Sequence, residues 1–388
     1  MTLTKHEQDE LIQLRRFFHQ NPECSMQETR TASFIENELQ KYGLSVKRIG
    51  KTGVYAELSH ITDTNTAKTI GLRADFDALP ILEATNLDYA SVNKGVMHAC
   101  GHDAHAAALL GAAKRLSKNR ETLNGTVKFI FQHAEEICQG AKEFVQSGVV
   151  NSMDRILAVH MCSSLPVGKM SLRSGECSAS CDKFTIRVHG KSAHAATPHH
   201  AVDALYIGTQ IVVNLQSILS RQINPIETGV VSVCSIHSGT AYNIIPDTCV
   251  IEGTTRAFSQ AIREQLNSSI KKISEGIAMA YNAETEVEII EYTRPLINDA
   301  DAAKEVEDTA IELFGPSISE HNYSKVMLGD DFAEFLTDTK GMYVWVGSSD
   351  GEDTNTSYPL HHPQFNINEK AVLMASELYE AYARKILK

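Results

Sequence analysis

Apolar Leu11, Leu14, Phe17 and Phe18 recur at helical spacing, and residues 5–42 read as two amphipathic helices broken at Asn21-Pro22. After Gly43 the pattern becomes strand-like over 44–49, 54–58 and 69–75, with the polar segment 63–66 predicted as a hairpin loop between the last two. The small apolar run from Ala104 to Ala113 predicts a buried helix with Asp103 as its N-cap. Strands follow over 126–132 and 155–160, each preceded by a helical segment. Strands alternating with helices imply an α/β layer with a largely parallel sheet.

From Phe184 the texture changes. Strands at 184–189, 229–236, 248–256 and 285–291, with helices at 201–221 and 260–281, make a compact α+β sandwich. After Arg294-Pro295 the first texture returns, with helices near 300–314 and 368–386 and a strand at 342–346. The predicted fold class is α/β with two domains. A mixed, largely parallel sheet flanked by helices takes residues 1–181 and 293–388, and the α+β sandwich is inserted at 182–292. There are no internal repeats and no low-complexity tracts.

Chemistry-bearing side chains concentrate in His98-Ala-Cys-Gly-His-Asp-Ala-His105 and in Glu135-Glu136. Cys100 and His102, two apart, cannot share a helix face; they converge on one ion only from an irregular turn, which Ala99 and Gly101 permit. Asp75 and Asp77 follow one predicted strand, Glu135 and Glu136 follow the next, His160 ends a third, and His361 lies in the late loop 358–363. Ligands of open α/β sheets gather at the carboxyl ends of strands, whereas satisfied core residues would be scattered through strand interiors. The set therefore reads as a metal site, although any one member alone would more often be structural. Adjacent Glu135 and Glu136 point in different directions. One can ligate while the other stands back as general base, taking a proton from water that a metal has acidified.

Composition narrows the class. The chain has 388 residues, 43% apolar and 22% charged, and a net charge of −12, which reads as a solubilising surface and argues against nucleic-acid or anionic-membrane partners. A site for an anionic substrate must then build its positive field locally. Eight cysteines without a compact framework suggest free thiols of a reducing compartment. The first ten residues lack the apolar core of a signal peptide, and no apolar run approaches the roughly 20 residues that span a bilayer. The expected location is cytoplasmic.

The motifs now in hand resemble one family nearly end to end. They are Arg15-Arg-Phe-Phe-His-Gln-Asn-Pro-Glu23, Leu72-Arg-Ala-Asp-Phe-Asp-Ala-Leu-Pro80, His98-Ala-Cys-Gly-His-Asp103, Phe131-Gln-His-Ala-Glu-Glu136, Gly190-Lys-Ser-Ala-His-Ala-Ala196, Asn243-Ile-Ile-Pro-Asp247, Gly253-Thr-Thr-Arg256 and Leu360-His361. In this order they resemble the M20 metallopeptidase family, and within it the amidohydrolase branch, subfamily D, of N-acyl-amino-acid, hippurate and auxin-conjugate hydrolases. The resemblance implies that Cys100, His102, Glu136, His160 and His361 hold two divalent ions per subunit. Cys100 would bridge them, Glu135 would be the general base, and Asp77 would orient a ligand. Asp75 stands where the wider family carries a ligand histidine and is not counted as one. Thiolate and imidazole donors favour zinc, with manganese, cobalt or nickel also compatible.

The resemblance further implies an inserted domain that dimerises and closes over the cleft, with tetramers left open. His194 would stabilise the oxyanion, reaching in from a partner subunit, while Asn243 and Arg256 would grip the substrate carboxylate. The implied reaction is hydrolysis of the amide of a small N-acyl-L-amino acid. A dipeptidase of the same family, or a metal-binding protein without catalysis, are the alternatives. The chain departs from the family pattern at His133, where proline is usual, and at Asp330-Asp331-Phe332, where Glu-Asp-Phe is usual; His362 directly follows the expected ligand. The roles of His133, Asp330, Asp331 and His362 stay open, as do the acyl group, the amino acid and the physiological metal.

Overall fold

The computed structural model describes residues 3–352 and 354–388. The chain divides into two compact units, one of residues up to Gly175 with Ile297–Ser324 and Asp331–Lys388, the other of Glu176–Leu296 with Lys325–Asp330.

The first unit is built on a seven-stranded sheet. Its strands, numbered in chain order, are β1 (Ser45–Ile49), β2 (Gly53–His60), β3 (Lys68–Asp75), β4 (Gly125–Gln132), β5 (Arg155–Pro166), β6 (Met170–Ser171) and β15 (Gly341–Ser349). They lie in the order β1-β2-β4-β3-β5-β15-β6. The four central strands are mutually parallel, with Leu72 opposite Phe129 and Leu157 and Trp345 opposite His160. The edges are antiparallel. Helices α1 (Lys5–Gln20), α2 (Thr29–Lys41), α3 (His102–Lys118), α7 (Ala300–Phe314) and α8 (Lys370–Ile386) send Phe18, Ile35, Leu109, Val306 and Leu378 into one core with the sheet, and α4 (Gly140–Ser147) links β4 to β5. Alanine-rich α3 is buried almost all round. A Cβ at Gly111 would lie 2.3 Å from Leu11 and 2.8 Å from Ser376, so glycine lets α1 and α8 close on it.

Two sequence expectations change here. The segment 63–66 does not close a hairpin, because β4 lies between β2 and β3, antiparallel to one and parallel to the other. His160 does not end its strand: β15 keeps pairing with β5 as far as Pro166. The β3 side of β5, however, is last paired at Ala158. From Val159 onward β3 no longer pairs with β5; side chains take over, the Val159 N–H donating to Tyr379 Oη and the Met161 N–H to His105 Nε2.

The second unit has a four-stranded antiparallel sheet in the order β10 (Gly229–Ser238), β12 (Thr248–Ala257), β8 (Cys181–His189), β13 (Glu284–Thr293). Strand β12 alternates buried and half-buried positions, as a sheet with one covered face requires. Its inner residues Cys249 and Ile251 pack with Ile186, with Ile207 and Ile211 of α5 (Ala204–Leu215) and with Leu266 and Ile270 of α6 (Gln260–Ala280). The helix expected over 201–221 ends at Leu215 and passes into a wider turn at Ile218–Gln222. Strands β9 (Ala193–His194) and β11 (Ile244–Ile245) form a small separate ladder. The unit reaches beyond 182–292 at both ends and takes in 325–330, since the Ala179 N–H lies 3.1 Å from the carbonyls of Val326 and Leu328. Short strands β7 (Gly175–Ser178) and β14 (Leu296–Asn298) lie where the chain passes between units. Among the described residues no helix is long and apolar enough to cross a membrane, and no disulfide joins any of the eight cysteines.

Candidate metal centre

Three backbone features gather the site in the first unit. Gly101 has φ +95°, a left-handed conformation, and a Cβ there would sit 2.9 Å from that of Met161. Only glycine fits this turn, which presents Cys100 and starts α3 at His102. Gly101, not Asp103, is thus the cap residue. Asp103 turns inward instead, accepting from Arg15 Nε at 2.9 Å and His19 Nδ1 at 2.8 Å. His361, itself at φ +66°, donates its N–H to the Ala99 carbonyl at 2.7 Å and so is tied to the same turn. Ala134, at φ +50°, turns the chain out of β4, and its N–H donates to the buried Glu28 carboxylate at 2.9 Å.

Two of the possible donor triads share the Cys100 sulfur, and a further one joins Glu135 to His102 and Glu136. Cys100, His102 and His160 offer ligand atoms within 4.8 Å of one another, and so do Cys100, Glu136 and His361. The Cys100 sulfur lies 3.5 Å from His160 Nε2, and His361 Nε2 lies 3.3 Å from Glu136 Oε2. Glu135 stands beside both, its Oε2 3.9 Å from His102 Nε2.

Hydrogen bonds settle which ring nitrogens face inward. His102 Nδ1 donates toward Asp77, at 2.9 Å from the backbone carbonyl and 3.2 Å from the carboxylate, which leaves Nε2 bare. His160 Nδ1 donates to the Met161 carbonyl at 2.8 Å and leaves Nε2 toward Cys100. The Asp77 carboxylate also accepts from Ser25 Oγ at 2.7 Å and from the Glu136 backbone N–H at 3.1 Å. Asp75, His102 and His105 also approach within 4.8 Å, but His105 has no nitrogen to spare. Its Nδ1 meets Asp75 Oδ1 at 2.5 Å and its Nε2 accepts the Met161 N–H at 2.8 Å.

The electrostatics call for a cation. Burial alone would lower the His102 imidazole, yet Asp75, Asp77 and Glu136 around it push it up to about 10. Burial, reinforced by Asp77, pushes the Glu136 carboxyl up to about 7 despite His102. Burial and the neighbouring His105 hold His160 well below its usual range, in the neutral form that ligates. His102 Nε2 and Glu136 Oε1 are buried without a hydrogen-bond partner. Orphaned donor atoms in a pocket of excess negative charge, with a thiol among them, fit a divalent metal pair.

Other expected residues have local partners of their own. His194 is exposed on β9, opposite Ile244, and its Nδ1 accepts the Ala196 N–H at 3.0 Å. Asn243 adjoins that ladder, its carbonyl accepting the Ala195 N–H at 3.1 Å. Arg256, near the end of β12, donates to Thr254 Oγ1 and, at 2.8 Å, to the Thr255 carbonyl. All three belong to the second unit. His133 is buried against Glu143, 3.1 Å away. His362 stacks on Tyr358 with ring centroids 4.6 Å apart, so His361 is the histidine that meets Glu136. In the second unit, the Asp330 carbonyl accepts from Thr293 Oγ1 at 3.1 Å. Glu28 and Ser25, which support the site from behind, carried no motif signal.

Residues 71–385 match peptidase family M20/M25/M40. The N-acetyl-L-cysteine deacetylase of Bacillus subtilis is 37% identical, over 97% of this chain and 88% of its own length. The N-acyl-L-amino acid amidohydrolase of Geobacillus stearothermophilus is 42% identical, over 74% of this chain and 78% of its own. The crystal structure of the Bacillus subtilis YXEP protein, a dinuclear metal binding peptidase from the M20 family, superposes with a TM-score of 0.85 at 34% identity, covering 99% of both chains. On the matched span and on these near full-length likenesses, the chain belongs to peptidase family M20/M25/M40.

Proposed function

We propose that the protein is a metal-dependent amidohydrolase that cleaves the amide of N-acyl-L-amino acids. The observation that carries this reading is the pair of donor triads joined at Cys100, with Glu135 beside them. The names of the deacetylase and amidohydrolase relatives support the substrate class, and the dinuclear YXEP protein supports two ions per subunit. Cys100, His102 and His160 would hold one ion, and Cys100, Glu136 and His361 the other. Thiolate and imidazole favour zinc over manganese, cobalt or nickel. When bound, such ions polarise a carbonyl and lower the pKa of water in the site.

The chain's own groups do the rest. Glu135 takes a proton from the attacking water onto its carboxylate and returns it to the departing amine nitrogen. Asp77 keeps His102 in the Nδ1–H tautomer throughout. His194 donates to the developing oxyanion, while Arg256 and Asn243 grip the substrate carboxylate. In this reading the first unit is catalytic and the second grips substrate and forms a homodimer, in the cytoplasm, with neither nucleic acid nor membrane as partner.

The test is metal analysis of purified protein, then amine release from N-acetyl and N-benzoyl amino acids alongside dipeptides. Two equivalents of divalent metal and faster release from the acyl amino acids are expected. Protein that binds no divalent metal, or that prefers dipeptides, overturns the reading.

A further inference from the structure

Behind the ligands runs a second line of buried contacts. Asp331, which opens the 3-10 turn Asp331–Thr337, is wholly buried. Its Oδ1 accepts from Gln132 Nε2 at 2.7 Å and from Arg73 Nη2 at 3.3 Å, and its Oδ2 from the Ala141 N–H at 3.2 Å. Gln132 closes β4 and Ala141 lies in the first turn of α4. One carboxylate therefore clasps both ends of the loop that carries Glu135 and Glu136. Arg73, also buried, donates Nε to Gln132 Oε1 at 2.9 Å and Nη1 to Asp75. Asp75 takes the Nδ1–H of His105, His105 takes the Met161 N–H, and the Met161 carbonyl takes the Nδ1–H of His160.

We propose that Asp331, Arg73, Asp75 and His105 form a positioning brace that sets the Glu135 loop and the His160 imidazole in one frame, with His105 a positioning residue rather than a ligand. Charges alternate along the line, acid, guanidinium, acid, and the planar fork of Arg73 fixes the spacing between the ends of β3 and β4. The Met161 backbone, pinned at its N–H and accepting at its carbonyl, holds His160 with Nε2 facing Cys100. In a buried network a broken link strands its neighbours without partners, so damage propagates along it. The two ends then report differently: His105 on the ion at His160, Asp331 on the base and on the ion at Glu136. The proposal rests on the amidohydrolase reading only where it names Glu135 as base.

The experiment compares His105→Phe, His105→Gln and Asp331→Asn in full-length, metal-loaded protein. It measures metal affinity by chelator competition, the thiolate absorption of cobalt-substituted protein, kcat, KM and thermal melting. His105→Phe is expected to weaken one of two ions by about 10–100-fold and to shift the cobalt band. His105→Gln, whose amide can both donate to Asp75 and accept from Met161, should restore most of that loss. Asp331→Asn, nearly isosteric and so a test that survives if His105→Phe does not fold, should keep KM and the ion on His160 while kcat falls about 10–100-fold, with any loss of metal confined to the ion on Glu136. Wild-type affinity and cobalt spectrum in folded His105→Phe, no rescue by glutamine, wild-type kcat in Asp331→Asn, or a change in melting temperature alone overturns the brace. Loss of the ion in His105→Phe from a wild type that hydrolyses no acyl amino acid would support the brace and sink the amidohydrolase reading.

Discussion

The imidazole of His102 is seated against Asp77 twice over, through the backbone carbonyl at 2.9 Å and the carboxylate at 3.2 Å. The carbonyl alone keeps the tautomer; the carboxylate adds charge and also holds the Glu136 backbone. Asp77→Ala should therefore weaken metal binding by about 10–100-fold without emptying the site. Competition against a chromogenic chelator measures this, and unchanged affinity would remove Asp77 from the account.

Glu135 and Glu136 are neighbours with opposite predicted phenotypes. Glu135→Ala should keep both ions while kcat falls by about 10²–10⁴-fold. Glu136→Ala, Cys100→Ser and His102→Ala should lose metal. Metal content and kcat measured on the same preparations separate the roles, and swapped phenotypes for the two glutamates would reverse the assignment.

Glu28 gives a pH prediction. Burial raises its carboxyl to about 6 from an ordinary 4.5, with Asp77 adding to the rise. A carboxyl raised on folding contributes stability that is full below its unfolded pKa and is lost as pH climbs through the folded one. The window is pH 4.5 to 6, and the loss above it is about 2 kcal/mol. Glu28→Gln keeps an oxygen for the Ala134 N–H, and the Thr52 hydroxyl can turn to accept. In metal-stripped protein at pH 7 this variant should melt higher than wild type, with the advantage gone at pH 4.5. Equal melting at both pH values contradicts it.

Gly101→Ala tests the turn. Its left-handed φ and the 2.9 Å approach to Met161 should together cost about 1–3 kcal/mol. Because Cys100 and His102 flank the glycine, metal affinity should fall with stability. Melting curves with and without added zinc read both effects, and a variant as stable and as tight as wild type would show that the turn tolerates a side chain.

The carboxylates were legible in the sequence because Asp75, Asp77, Glu135 and Glu136 sit where β3 and β4 stop, and strand texture is local. What escaped depends on partners far away in the chain. Nothing local tells β2 and β3 that β4 will come between them, or β5 that β15 will carry its ladder past His160. Asp103 has the residue type of a helix cap, yet Arg15 and His19 claim it, and Gly101 does the capping. His105 looks as ligand-like as His102 until both its nitrogens prove to be engaged.

The donor triads draw on the chain before and after the entire second unit, since Cys100, His102, Glu136 and His160 precede it and His361 follows it. During synthesis the thiol and first imidazoles leave the ribosome long before the last histidine exists. Full capture of an ion pair must wait for the intervening residues to be translated and for the chain to return. Until then the exposed sulfur is vulnerable to oxidation, and metal supplied early finds one triad whole and the other short of its last imidazole.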